Sequence, residues 1–433
     1  MWLNAFIKIK KSKQSIFLAS ISAFNIAVVF VLQMITFNVV GAGDETDALF
    51  LGLAIPTLIL SVTVTALNNV LVPLFSGRDI LEVKLISKNV FLVLCGLGCV
   101  LTIILQITLD IWLPLIANGF SYEKLELTKL LTRIQLMVVP LSMLYSIQWS
   151  ILNGQKRHLE SEMSPALINV FLLPIIYFLL KKYGVVAIAI AYPIRVFLQN
   201  IVLYILLGKG YIGFVRISKH ELYLIWNKLK PMMLGSIYYK SEPVIDRSLL
   251  SNAASGTLSV FFMAQQVYSA MSQIIVKSII TPNIARLSES YNNKNEKKFN
   301  LLYKETFVRL FYVLVFVFIC FLIFGRYASN LILSVKVHAT SGGEDLYNIL
   351  FLLYGSFVGN VLGAISSSTF YARGNTKTPS YISMFTYTVY LPLKVFLFIW
   401  FGVKGLAITI STYSLVNVLL MTYVYLSRYK INS

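Results

Sequence analysis

Residues 238–250 read YYKSEPVIDRSLL and carry four charges inside an otherwise apolar stretch. A charge near the middle of a bilayer costs at least about 2.5–3.5 kcal/mol, so such residues either do work or are paired. At about 100° per residue, Lys240 and Arg247 (i, i+7) share one helix face, and Glu242 and Asp246 (i, i+4) share nearly the opposite one. Pro243 lies between them, removes a backbone donor and predicts a kink. Two readings stay open. The basic face could hold a diphosphate while the acidic pair, one turn apart in low dielectric, titrates and couples transport to protons. Alternatively, the four charges pair with one another or with neighbouring helices and hold the bundle together.

Arg195, in AIAIAYPIRVFLQNIVLYI, lies two residues after Pro193 near the middle of another apolar stretch. A guanidinium matches phosphate oxygens in bidentate fashion, which makes Arg195 the best single candidate for a buried anion contact. Snorkelling, or pairing with Glu242 or Asp246, is its alternative role. Lys277 (IIVKSIITP) and Lys394 (YLPLKVFLF) are further candidates for the substrate site, each with a stem long enough to reach an interface. Lys129 and Arg133 open a span on the outer side, as exit guides or headgroup anchors. Uncharged polar groups (among them Asn68, Asn69, Gln265, Gln266, Asn360 and the SSST run at 366–369) suit a saccharide with many hydroxyls, and suit helix–helix contacts equally.

Enzyme chemistry finds no support. His158, His220 and His338 fall in separate loops, and no nucleophile–base or metal-ligand spacing appears. Cys95, Cys99 and Cys320 lie inside apolar segments, and the first two are four residues apart, not a C-x-x-C pair. No cofactor and no metal are expected.

The elements that must position these residues are membrane spans. Of 433 residues 57% are apolar and 13% charged, against about a quarter charged in a soluble domain. Mean hydropathy is +0.75. Twelve apolar stretches long enough to cross a bilayer are read at 15–41, 46–76, 87–116, 128–152, 165–181, 184–208, 229–252, 256–284, 308–335, 346–371, 379–401 and 403–427. The first is far too long for the h-region of a cleavable signal. The expected fold is an all-α polytopic membrane protein, with about twelve spans in two pseudo-symmetric six-helix bundles around a central cavity. The bundles are expected at 1–208 and 229–433, joined by an amphipathic cytoplasmic linker at 209–228.

The even loops and termini hold 22 Lys and Arg, the odd loops five. That asymmetry predicts both termini in the cytoplasm, here of a bacterial inner membrane. It also accounts for most of the net charge of +19 as an orientation signal beside anionic membrane lipids, which excludes nucleic acid as a partner.

The chain repeats itself. VVGAGDETDALFLGLAIPTLILSVTVTALNNVLVPLFS (39–76) matches LSNAASGTLSVFFMAQQVYSAMSQIIVKSIITPNIARLS (250–288), with Pro73 and Pro282 at an offset of 209 (282 − 73). LNGQKRHLESEMSPALINV (152–170) echoes ARGNTKTPSYISM (372–384). YGVVAIAIA echoes FGVKGLAIT at an offset of 218 (402 − 184). Paired halves in one apolar chain point to a transporter with its site at the repeat interface.

GAGDETDALFLGLAIP followed by VLVPLFSGR resembles the MviN/MurJ flippases of lipid-linked precursors, in the superfamily that also holds Wzx-type flippases and MATE antiporters. The 229–289 segment and the loops LNGQ…SPALINV and ARGNTKTPS resemble the same family. The resemblance implies two six-helix bundles and alternating access. It makes Gly41, Gly43 and Asp47 parts of a structural turn. It also exposes departures. The arginines that lipid II flippases carry in helices one and two fall on Ile26, Leu32 and Leu60. The one in helix eight falls on Gln266, and its acidic companion on Ser269. Twelve spans also leave out the extra pair that lines a lipid groove in that family. The expected cargo is therefore an undecaprenyl-diphosphate-linked oligosaccharide of O-antigen or capsule type, with Arg195, Lys240, Arg247, Lys277, Lys394 and Gln266 around it. Glycosyltransferases and a polysaccharide polymerase are the implied partners. Lipid II is the alternative cargo. A MATE-like antiporter comes last, because embedded Arg and Lys are at least as frequent as Asp and Glu.

Overall fold

The computed structural model describes residues 2–213, 219–333 and 342–429. Residues 214–218 of the connecting segment, with Lys336, His338 and Lys430, lie outside them. Among the described residues every regular element is helical. In chain order these are α1 (Trp2–Val40), α2 (Asp44–Gly52), α3 (Ala54–Phe75), α4 (Ile80–Ile107), α5 (Leu109–Ile116), α6 (Tyr122–Leu136), α7 (Val138–Gly154), α8 (His158–Tyr183), α9 (Val185–Leu207), α10 (Lys219–Lys240), α11 (Glu242–Leu250) and α12 (Thr257–Ile275). A π-helical turn (Val276–Ile280) follows, then α13 (Thr281–Asn292), α14 (Glu296–Leu333), α15 (Gly342–Ala372) and α16 (Lys377–Arg428).

Nine helical stretches among the described residues are long and apolar enough to cross a membrane. The difference from the twelve read in the sequence has three physical sources. The expected spans at 379–401 and 403–427 run on as α16 through a kink at Gly402. The seventh is interrupted at Ser241, where charge dilutes its hydropathy and the axis breaks into α10 and α11. The eighth is interrupted by the π-helical turn, a rare element that occurs mostly as a single turn inside an α-helix. The protein is an all-helical, polytopic membrane protein.

Two compact units divide the chain, Met1–Leu258 and Ser259–Ser433. In the first, α3, α4, α7 and α9 enclose a core of Leu71, Phe75, Val83, Val138, Ile147, Ile151, Leu152 and Leu203. Helix α10 packs against α3 in the same unit. In the second, aromatic rings carry much of the packing. Tyr268 stacks on Phe357 with centroids 5.1 Å apart, Phe318 meets Tyr354 at 4.7 Å, and Tyr303 meets Tyr425 at 4.9 Å.

The repeat extends to the backbone. Gly184 (φ 57°, ψ −146°) joins α8 to α9, and Gly402 (φ 57°, ψ −139°) sits at the kink of α16, 218 residues later. Side chains avoid that conformation, so glycine is required at both. Lys156 (φ 62°) and Gly374 (φ 75°) lie at the same offset in left-handed turns. Each turn is closed by the same longer-range bond, Arg157 N to Leu152 O at 2.8 Å and Asn375 N to Phe370 O at 2.9 Å.

Candidate functional site

The GAGDETD turn is the most tightly built polar feature of the first unit. Thr46 Oγ1 donates to Gly43 O and accepts from Gly43 N, both at 3.0 Å, which fixes the entry to α2. Gly41 turns the chain with φ 91°. Asp47 is then carried inward and buried. Its Oδ2 accepts from Lys124 Nζ at 2.8 Å and from Gly256 N at 2.8 Å. Lys124 also pairs with the exposed Asp44 at 2.7 Å and lies 4.2 Å from the Phe120 ring centroid. Gly256 (φ +82°) is required twice over, because a Cβ there would lie 2.9 Å from Ala42 O. Beside it, Asn118 Oδ1 accepts from Ser251 Oγ at 3.0 Å and Asn252 Nδ2 at 2.9 Å. Three segments distant in sequence (41–47, 118–124 and 251–256) are thus tied through one carboxylate and one amide. Burying such a charge pair is tolerable only because every partner is met.

Lys124 is one of the five basic residues that the sequence assigns to the odd loops. It instead lies one turn into α6, buried, as the counter-ion of Asp47. The signal that could have found it is local: an acidic outer turn with few basic residues on the same side. Lys129 and Arg133 are neither free guides nor lone anchors. Lys129 pairs with Asp110 at 3.1 Å and Glu126 at 2.7 Å, and Arg133 with Asp110 at 3.3 Å.

The charges of residues 240–247 separate in space. Lys240 ends α10 and turns onto α3, where its Nζ donates to Ser61 O and, at 3.2 Å, to Thr65 Oγ1. Glu242 opens α11 and is half-buried, whereas Asp246 and Arg247 are buried on its inner side. Arg247 interacts electrostatically with Asp246 and with Tyr192 of α9. Arg195, one turn beyond, lies with its guanidinium carbon 5.1 Å from the Tyr192 ring centroid. Arg195 and Arg247, from sequence segments about fifty residues apart, therefore both interact with one tyrosine that the sequence did not single out. An aromatic in an apolar helix reads as packing; only the fold shows that it meets Arg195 and lies within the electrostatic reach of Arg247.

The remaining candidates lie in the second unit and are described there alone. Lys394 is almost fully buried within α16. Lys277 is half-buried in the π-helical turn, and Gln266 is half-buried on α12. No group of three or more His, Cys, Asp or Glu among the described residues could hold a metal ion.

Comparison with known proteins identifies the scaffold. The profile of the family "Lipid II flippase MurJ" matches residues 36–433. The chain belongs to the MurJ family. A "Probable lipid II flippase MurJ" of Buchnera aphidicola subsp. Baizongia pistaciae is 25% identical over 407 residues, covering 88% of this chain and 77% of that protein. Among solved structures, a lipid II flippase MurJ in an inward closed conformation superposes with a TM-score of 0.83 at 19% identity, covering 95% of this chain and 87% of that one. An inward-facing MATE multidrug transporter follows at 0.76 and 18%, covering 93% and 96%. The fold is that of the MOP superfamily, and membership makes the protein a transporter of lipid-linked precursors, not an enzyme. The O-antigen or capsule cargo expected above gains no support from these relatives, whose names specify lipid II.

Proposed function

We propose that the protein moves lipid II, the polyprenyl-diphosphate-linked peptidoglycan precursor, from the cytoplasmic to the outer leaflet of a bacterial inner membrane by alternating access. The family match over residues 36–433 carries this assignment. The distribution of Lys and Arg orients the chain with both termini in the cytoplasm, which puts the turn at 41–47 on the outer side. In this reading the contacts of Asp47 with Lys124 and Gly256 form an outer latch, closed while the cargo is taken up from within. Glu242 and Asp246 are the carboxylates available for coupling. Lys240, Lys277, Lys394 and Gln266 are the groups available to the saccharide, and enzymes that build or polymerise the precursor are the natural partners.

A second cargo, a polyprenyl-diphosphate-linked O-antigen or capsule unit, is favoured by one specific observation. Ile26, Leu32, Leu60, Gln266 and Ser269 occupy the positions of the charged residues expected of a lipid II flippase. Depleting the protein separates the two. Lipid II trapped in the cytoplasmic leaflet, with a murein defect and rescue by a known lipid II flippase, is the expected outcome. Intact murein with loss of surface polysaccharide would transfer the assignment to the second cargo.

A further inference from the structure

We propose that the start of α4 and the glycine-rich segment 208–213 form a binding site for the phosphate of an anionic glycerophospholipid, held by Lys84 and Lys88. The leaflet, the cytoplasmic one, follows from the orientation given above; the site itself rests on neither the orientation nor the cargo.

Three observations carry it. The first is how the two lysines are held. Ser87 Oγ donates to Tyr211 O at 2.7 Å, and the hydroxyl of the buried Tyr211 accepts from Gln155 Nε2 at 3.0 Å. GKGYIG is thereby fastened along α4. Lys84 lies across this segment, its Nζ 5.3 Å from the Tyr211 ring centroid. A Cβ at Gly210 (φ +102°) would meet the Lys84 arm at 3.3 Å, and one at Gly213 would lie 3.8 Å from Lys88 Cε. Both lysines are half-buried, yet neither pairs with a carboxylate among the described residues. Glu82, the acidic residue nearest to them in sequence, is exposed and lies about 160° round the helix from Lys84. The second observation is the backbone. The amides of Lys209, Gly210, Ile212 and Gly213 donate to no group among the described residues, so they are open to an anion beside the two ammoniums. The third is an apolar rim. Leu81 and Leu85 are 80% and 52% exposed. With Lys84 and Lys88 they recur at i, i+3, i+4 and i+7, on one helix face. The 28 residues of α4 span about 42 Å, against a hydrocarbon core of about 30 Å, which leaves its first turns at headgroup depth. Leucines and lysines sharing a face at that depth match the glycerol–acyl body and the phosphate of one lipid. A soluble phosphate would use the lysines and leave the leucines in water.

The test uses the full chain purified in detergent, with native mass spectrometry reading occupancy by phosphatidylglycerol against phosphatidylethanolamine. The wild-type chain should favour phosphatidylglycerol by about fivefold or more. K84Q/K88Q keeps most of each stem and should cut that preference to about twofold or less. K297Q/K298Q removes the same charge from exposed positions at the start of α14 and should leave the preference intact. L81S/L85S should weaken occupancy by about threefold, and glycerol 3-phosphate, the soluble competitor, should not displace the lipid. An unchanged preference in K84Q/K88Q would overturn the site, as would none in the wild-type chain. An equal loss in K297Q/K298Q would replace it with diffuse attraction to membrane charge. Displacement by glycerol 3-phosphate, or wild-type occupancy in L81S/L85S, would overturn the lipid as the source of the phosphate.

Discussion

Residues 152–207 and 370–425 share their turn geometry at an offset of 218 (370 − 152) and carry different chemistry. Positive-φ residues recur at 156 and 374 and at 184 and 402, and Pro174 and Pro392 share the same offset of 218 (392 − 174). The side chains diverge at equivalent positions. Arg195 corresponds to Tyr413, and Lys394 to Ile176. Each copy pins its tight turn with an arginine, but from a different register. Arg157 pairs with Glu160 and donates to Leu206 O at 2.7 Å. Arg373 grips Glu296 with two bonds of 3.0 and 2.6 Å, and packs among Tyr291, Phe299, Tyr425 and Tyr429. Turn geometry is fixed by backbone sterics and tolerates no drift. Charge placement follows from what each copy must bind or brace, and is free to change.

The comparison breaks first at the glycines. G184V and G402V should each lower stability by about 2 kcal/mol, the cost of a side chain in a sparsely allowed region. Thermal melting of the purified protein checks this; a cost at one site only would mean that the backbones are not equivalent. Next, R373Q should destabilise by about 1–2 kcal/mol, combining lost bonds to a half-screened Glu296 with lost cation–π contacts. R157Q, lacking the aromatic surround, should cost about 0.5–1 kcal/mol. Equal losses in denaturant titration would remove the distinction drawn between the two anchors. The smallest effect is K156G, which replaces a side chain in the left-handed region and should raise stability by about 0.5–1 kcal/mol. A loss there would show that the Lys156 side chain contributes something its backbone does not reveal.

Spans, their approximate borders and the repeat were legible because hydropathy and glycine placement are local properties. The 184/402 pair illustrates this: the glycines are visible in the sequence and require the same φ in the structure. Lys124 was not legible, because a charged residue beside a loop looks like a headgroup anchor until Asp47 is found within 2.8 Å. Tyr192 was hidden for the opposite reason, since nothing about it departs from a membrane helix. Lys240, grouped with Arg247 by periodicity, turned instead onto α3, because the interruption at Ser241 breaks the face that an unbroken helix would have given them.

The shared oxygen of Asp47 has a consequence for timing. One atom accepts from both Lys124 and Gly256, so the two bonds need not rupture together: the amide can leave while the ammonium stays. The proposed latch would then have a half-released state. If the Gly256 bond to a charged acceptor is worth about 2 kcal/mol, each excursion out of the closed state is slowed about thirtyfold. D47A, which removes the acceptor of both bonds, should shorten the closed dwell by at least that factor in single-molecule distance traces. An unchanged dwell would mean that the clock of the cycle runs elsewhere.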